Sequence, residues 1–155
     1  MEFDKTTQDA LKLIHEGNHI IFREVGRVCE KYHLNYFLDS GNLIGAVREK
    51  SDIPWDDDAD IAMTSKDFEV FRKVARTELK DGFVYVEPDE LNGAFYDFVP
   101  RVVMLDSTMR ENNAVQKYYG NGIHNHMRTD IFIVVDVSDK LLKHNFFNAF
   151  LILVY

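Results

Sequence analysis

A chain of 155 residues that is 46% hydrophobic and 13% aromatic has the size and the apolar material for one domain with one core, which excludes a disordered chain. Eighteen Lys and Arg against 26 Asp and Glu give a net charge of −8, which excludes a general nucleic-acid binder but leaves room for a small phosphate-bearing ligand held by local cations or a metal. The single cysteine, Cys29, excludes an internal disulfide, and the opening MEFDKTTQDA lacks the basic and apolar regions of a secretory signal, so a reducing, cytoplasmic setting is expected.

Residues 6–32 place Leu11, Ile14, Ile21, Phe22, Val25, Val28, Cys29 and Tyr32 at spacings of three, four and seven, which predicts one long amphipathic helix capped by Thr6 or Thr7. Cys29 falls on its apolar stripe, the place of a buried, inert thiol. NYFLDS (35–40) is predicted as a short strand, SGN as a turn and LIGAVREK as a short helix, with Pro54 ending the loop that follows. DDADIAM (57–63) alternates as a strand does, with Ala59, Ile61 and Met63 on one side and Asp58 and Asp60 on the other. SKDFEVFRKVARTEL (65–79) is a second amphipathic helix, with Phe68, Phe71, Val74 and Leu79 inward and Thr64 or Ser65 as cap.

GFVYVEP and FYDFVPRVVML are predicted strands, 107–125 a polar surface loop, and TDIFIVVDV a strongly apolar, central strand, followed by a helix from about Ser138. The closing FFNAFLILVY is uncharged and about half of the ~20 residues a membrane helix needs, so it is expected to pack on a core or to be followed by more chain. The element order predicts a mixed α/β (α+β) domain over 1–155, with a sheet flanked by helices.

IPWDDDADIAM (53–63) puts Asp56, Asp57, Asp58 and Asp60 into five positions beside residues with core character. On a strand, Asp58 and Asp60 would lie roughly 6.5–7 Å apart on one side. At an effective dielectric of ~20 they would repel by roughly 2.4 kcal/mol. Water around the group or a cation between the carboxylates offsets that cost, and hard oxygen ligands without His or Cys suit Mg²⁺, Mn²⁺ or Ca²⁺. An EF-hand loop is excluded, because Ile61 stands where the turn needs Gly and Asp67 where the loop needs Glu. Upstream, LDSGNLIGAVR supplies a strand, a small turn at Ser40, Gly41 and Asn42, and a helix start, a combination that suits phosphate.

Strand, Ser-Gly turn, helix, then a strand with Asp-x-Asp resembles the plan of the DNA polymerase β-like nucleotidyltransferase fold, in which a later strand supplies a third carboxylate; Asp130 is the candidate. YFLDSGNLIGAVREKSDIPWDDDADIAM closely resembles the signature of the LicD family, which comprises phosphorylcholine transferases and relatives, with fukutin-like proteins as eukaryotic cousins. Asp130-Ile131-Phe132 fits a later element of the family, and RVVMLDST, around Arg101 and Thr108, fits another more loosely. The resemblance spans about residues 20–136, the N-terminal part of a longer family domain. Asn42 stands in place of a usual threonine, Glu49 in place of a common histidine, and the proline usual after Asp-Ile-Phe is missing.

The resemblance implies transfer of a phospho-substituent, typically phosphocholine from a CDP-linked donor such as CDP-choline, to a hydroxyl of a cell-surface glycan. Mg²⁺ (or Mn²⁺) would be held by Asp58, Asp60 and Asp130, with Asp56 and Asp57 as further ligands or supporting groups, and Asp130 alternatively as base on the sugar hydroxyl. Ser40, Gly41 and Asn42 would orient phosphate, and Arg48 would neutralise phosphate charge or pair with the Asp cluster. Trp55 would face a choline ammonium or serve packing. His124 and His126 form a His-x-His pair that suits a metal less well than an ordinary polar loop. Such a protein would be cytoplasmic, or peripheral at the inner face of the membrane. The alternative is a catalytically inactive, truncated remnant that binds nucleotide or metal, or a non-enzymatic interaction module, and for this chain the remnant is slightly favoured.

Overall fold

The computed structural model describes residues 4–90, 99–107 and 125–136. Its first element, α1 (Lys5–Tyr32), is capped by Asp4, whose carboxylate accepts from the Thr7 amide at 3.0 Å. The expected caps, Thr6 and Thr7, therefore lie inside the helix, and Asp4 supplies the acceptor one turn earlier. The stripe is buried where it was expected, at Ile21, Val25, Val28 and Cys29. Burial pushes the Cys29 thiol up to about 12, so it stays protonated and inert.

After α1 the chain forms β1 (Tyr36–Leu38), α2 (Ser40–Ile44) and a π-helical turn, Gly45–Glu49. The predicted Ser-Gly-Asn turn is instead the first turn of α2. Ser40 enters it at φ 48°, a left-handed conformation that costs a non-glycine residue of order 1–3 kcal/mol. Then come β2 (Asp60–Thr64), α3 (Ser65–Glu78), β3 (Phe83–Val86), a 3₁₀ turn at Pro88–Glu90, β4 (Arg101–Met104) and β5 (Met127–Val134). Thr64 caps α3, accepting from the Asp67 amide. β2 begins at Asp60, so Asp58 precedes the strand rather than lying on it. The expected helix from Ser138, the FFNAFLILVY segment, and most of the 107–125 loop lie outside the described residues.

The five strands form one mixed sheet in the order β1-β2-β5-β4-β3, with β5 central as its apolar run implies. β2 and β5 are parallel, and the other neighbours are antiparallel. Side chains alternate across the sheet. Ile61, Met63 and Ile131 therefore share the face on which α1 and α3 pack, forming the core with Val25, Val28 and Phe71. Burying each such side chain stabilises the fold by roughly 1.5–3 kcal/mol. By the same register, Asp60, Asp130 and Arg101 share the opposite face. Among the described residues, no helix is long and apolar enough to cross a membrane.

The π-helical turn depends on a close approach. A Cβ on Gly45 would lie 2.6 Å from the Ser51 carbonyl oxygen and 3.2 Å from the Ile53 amide nitrogen, both main-chain atoms that cannot rotate away. In an open helix Gly→Ala stabilises by about 1 kcal/mol. Here the clash reverses the sign, and Gly45→Ala is expected to lose roughly 1–3 kcal/mol in a denaturant melt. An unchanged or raised midpoint would show that the 51–53 segment is not fixed against the helix.

Candidate active site

The parallel pairing of β2 with β5 places Asp60 directly beside Asp130. The segment before β2 joins them from below: the Ala59 carbonyl accepts from the Asp130 amide at 2.8 Å and from the Thr129 hydroxyl at 2.8 Å. Asp57, Asp58, Asp60 and Asp130 line one pocket of about 210 Å³, together with Asn18, Arg128 and the apolar Ile14, Ala59 and Met127. That is smaller than the roughly 300–1,000 Å³ clefts that enclose drug-sized ligands, and suits ions or a phosphate group.

Asn42 builds the entry to the strand. Its side-chain oxygen accepts from the Asp60 amide at 2.7 Å and its amide donates to the Asp58 carbonyl at 3.3 Å. From the other side, the buried Asn18 of α1 donates to the same Asp58 carbonyl at 3.1 Å, and His15 Nε2 donates to the Asp56 carbonyl at 2.7 Å. A Cβ on Gly41 would come within 1.8 Å of an Asp56 carboxylate oxygen, the rotatable end of that side chain. The Asp56 carboxylate thus lies against the first turn of α2, where phosphate was expected.

The pocket concentrates negative charge. Asp60 is raised to about 6, first by burial, then by Asp130 and Asp58, while a hydrogen bond from Ser40 pulls the other way. Asp58 is also raised, by burial and by Asp57 and Asp56, with Arg128 opposing. Asp130 is held differently. The buried Arg101 guanidinium pairs with it at 3.2 Å and also donates from Nη2 at 3.4 Å, and Arg128 stands 3.8 Å away. The donor set is all carboxylate oxygen, which fits a hard cation such as Mg²⁺ or Mn²⁺. Among the described residues, the three acids whose oxygens come within 4.8 Å of one another are Asp56, Asp57 and Asp58, not the Asp58, Asp60 and Asp130 set.

Of the expected residues, Asp58, Asp60 and Asp130 meet at the pocket, with Ser40 bonded to Asp60 and Asp56 beside Asp58. Arg48 is elsewhere: it is exposed and pairs with its neighbour Glu49 at 2.6 Å, so neither the Asp cluster nor the pocket holds it. Trp55 is 61% exposed, which excludes a core role. His126 uses Nδ1 to bond the Ser107 carbonyl, tying β5 to the turn after β4, and His124 and Thr108 lie outside the described residues. Sequence reasoning missed His15, Asn18 and Arg128 altogether and gave Arg101 no role. Asn18 did carry a signal, as a polar residue on the apolar stripe between Ile14 and Ile21. For Arg101 and Arg128 the signal lies in strand register.

An acidic pocket thus stands at the junction of the parallel strands β2 and β5, beside the short helix that follows β1. The sequence profile of the LicD/FKTN/FKRP nucleotidyltransferase domain matches residues 33–150, and the chain belongs to that family. It is 48% identical over 44 residues to the lipopolysaccharide cholinephosphotransferase LicD of Haemophilus influenzae, covering 28% of this chain and 17% of that protein. It is also 33% identical over 54 residues to an uncharacterized protein of Rickettsia typhi, covering 35% of this chain and 18% of the other. The matched stretches thus span under a fifth of these curated relatives.

Proposed function

We propose that the pocket binds the phosphates of a CDP-linked donor, typically CDP-choline, through Mg²⁺ or Mn²⁺, and transfers the phospho-substituent to a hydroxyl of a cell-surface glycan. The observation that carries the reading is the meeting of Asp58, Asp60 and Asp130 at one pocket in a chain of this family. Those three carboxylates would hold the metal, which when bound supplies charge neutralisation at the diphosphate. Asp56 and Asp57 add oxygen donors within 4.8 Å of those of Asp58.

Arg128, at the pocket wall, takes the phosphate-neutralising role first given to Arg48. Arg101 pairs with Asp130, which favours Asp130 as an anchor over a general base. Ser40 hydrogen-bonds Asp60 and the Asp56 carboxylate lies against Gly41, so these two residues act on the phosphates through the acids, while Asn42 serves by fixing the main chain at Asp58 and Asp60. Trp55, exposed just before the acidic run, is available to a choline ammonium through its ring face.

The test is CMP release by the full chain with Mg²⁺ and CDP-linked choline, ethanolamine, glycerol and ribitol donors, with and without acceptor glycans. Metal-dependent release that rises with one acceptor supports the reading; no release from any donor counts against it. A second measurement does not need turnover. Because the folded pocket binds the cation and the unfolded chain does not, Mg²⁺ or Mn²⁺ is expected to raise the melting temperature, and Asp58→Asn to abolish that rise. Equal metal shifts in variant and wild type would make the acidic run only a solvated face.

A further inference from the structure

We infer that His15 and Asn18 on α1 are positioning residues for the acidic segment, an activity-supporting role for a helix that precedes the 33–150 match to the family. The two residues sit three apart, on one face of the helix. His15 Nε2 donates to the Asp56 carbonyl at 2.7 Å and Asn18 to the Asp58 carbonyl at 3.1 Å. His19, one residue further along the same face, reaches the Asp52 carboxylate at 3.0 Å at the start of the same loop. Asn18 is only 3% exposed, so the chain has placed a polar side chain in its core interface for this contact. Along the rest of the buried face stand the apolar Ile21, Val25, Val28 and Cys29, together with Glu24, which is held by its ion pair with Arg27.

What α1 holds is the main chain, not the carboxylates. A carbonyl fixes the peptide plane that follows it, so bonds to the carbonyls of Asp56 and Asp58 set the 56–57 and 58–59 planes, which flank the Asp57–Asp58 pair and restrict where those two side chains project. Asn42 also donates to the Asp58 carbonyl and accepts from the Asp60 amide. Without such ties, mutual repulsion among Asp56, Asp57, Asp58 and Asp60 would favour a loop that spreads them apart. The brace keeps them gathered before a cation arrives and leaves their oxygens directed at it. The link to metal rests on the function proposed above; the ordering of the loop does not.

The test uses full-length protein with His15→Ala, Asn18→Ala, and His15→Gln as the conservative control, since the glutamine amide donates from about where imidazole Nε2 does. Hydrogen exchange without metal is expected to speed up roughly tenfold in peptides covering 52–60 for both alanine variants, with α3 unchanged and His15→Gln close to wild type. Mn²⁺ affinity is expected to fall by on the order of tenfold in the same two variants and to recover in His15→Gln. Unchanged exchange at 52–60, or equal acceleration in α3, overturns the inference. If exchange changes as expected while wild type takes up no Mn²⁺, the brace stands and the metal-dependent function falls.

Discussion

Asp60→Asn is expected to cut donor cleavage by on the order of 10²–10³-fold or more while leaving the metal-free fold at least as stable as wild type at neutral pH. The two halves of this result have one cause. Asp60 sits half-buried beside Asp130 and near Asp58, and its carboxyl is raised from 3.8 to about 6. A raised carboxyl binds its proton more tightly in the folded state than in the unfolded one, so its contribution to stability falls as pH rises from about 4 to about 6. Asparagine cannot ionise, and the variant escapes that loss. The difference between variant and wild-type melting temperatures should therefore grow across that window and stay constant above it. Taking the difference cancels groups whose pKa is lowered, such as Glu24 and Glu78, which act in the opposite sense. Mg²⁺ should close the gap by stabilising wild type alone. A flat difference curve, or a variant with wild-type turnover, would remove Asp60 from the site.

Local patterns carried much of this in advance. Alternation at Ile61 and Met63 identified β2, and the apolar run after Asp130 identified the central strand. Patterning failed where a side chain replaced a backbone partner. The acids before Asp60 looked like strand because they alternate with Ala59, yet the Asp58 carbonyl is taken by Asn18 and Asn42, and pairing starts only at Asp60. The Ser-Gly-Asn stretch looked like a turn because of its composition, but Ser40 absorbs the left-handed backbone and the helix starts there. Arg48 lies on the π-helical turn with its side chain exposed and paired with Glu49, a placement that its nearness in sequence to the acids does not convey. Arg101 shows the limit most plainly: its partner lies 29 residues away, and only the β4–β5 register brings them side by side.

That pair gives the largest expected effect on stability. Arg101 is 1% exposed, and its guanidinium meets both oxygens of Asp130, which itself stands beside Asp60. Arg101→Met keeps most of the stem's volume but leaves two adjacent carboxylates in a partly desolvated site with only the more distant Arg128, 3.8 Å from Asp130, to offset their charge. Breaking a buried pair in this way costs roughly 3–5 kcal/mol, a fall in melting temperature on the order of 10 °C for a chain of this size. Arg101→Lys should recover only part of it, because an ammonium is a point charge and cannot match the two oxygens as the guanidinium fork does. Arg101→Met combined with Asp130→Asn should recover most of the loss, since replacing both partners removes the charge that was stranded. That double variant should nonetheless release no CMP, because a carboxylate proposed to hold the metal is gone, which separates the stability role of the pair from its place in the proposed site. Thermal melts of the three proteins decide the matter. If Arg101→Met alone melts like wild type, the buried pair does not hold the sheet together. If the double variant is as unstable as the single one, the cost lies in packing around the guanidinium and not in the charge on Asp130.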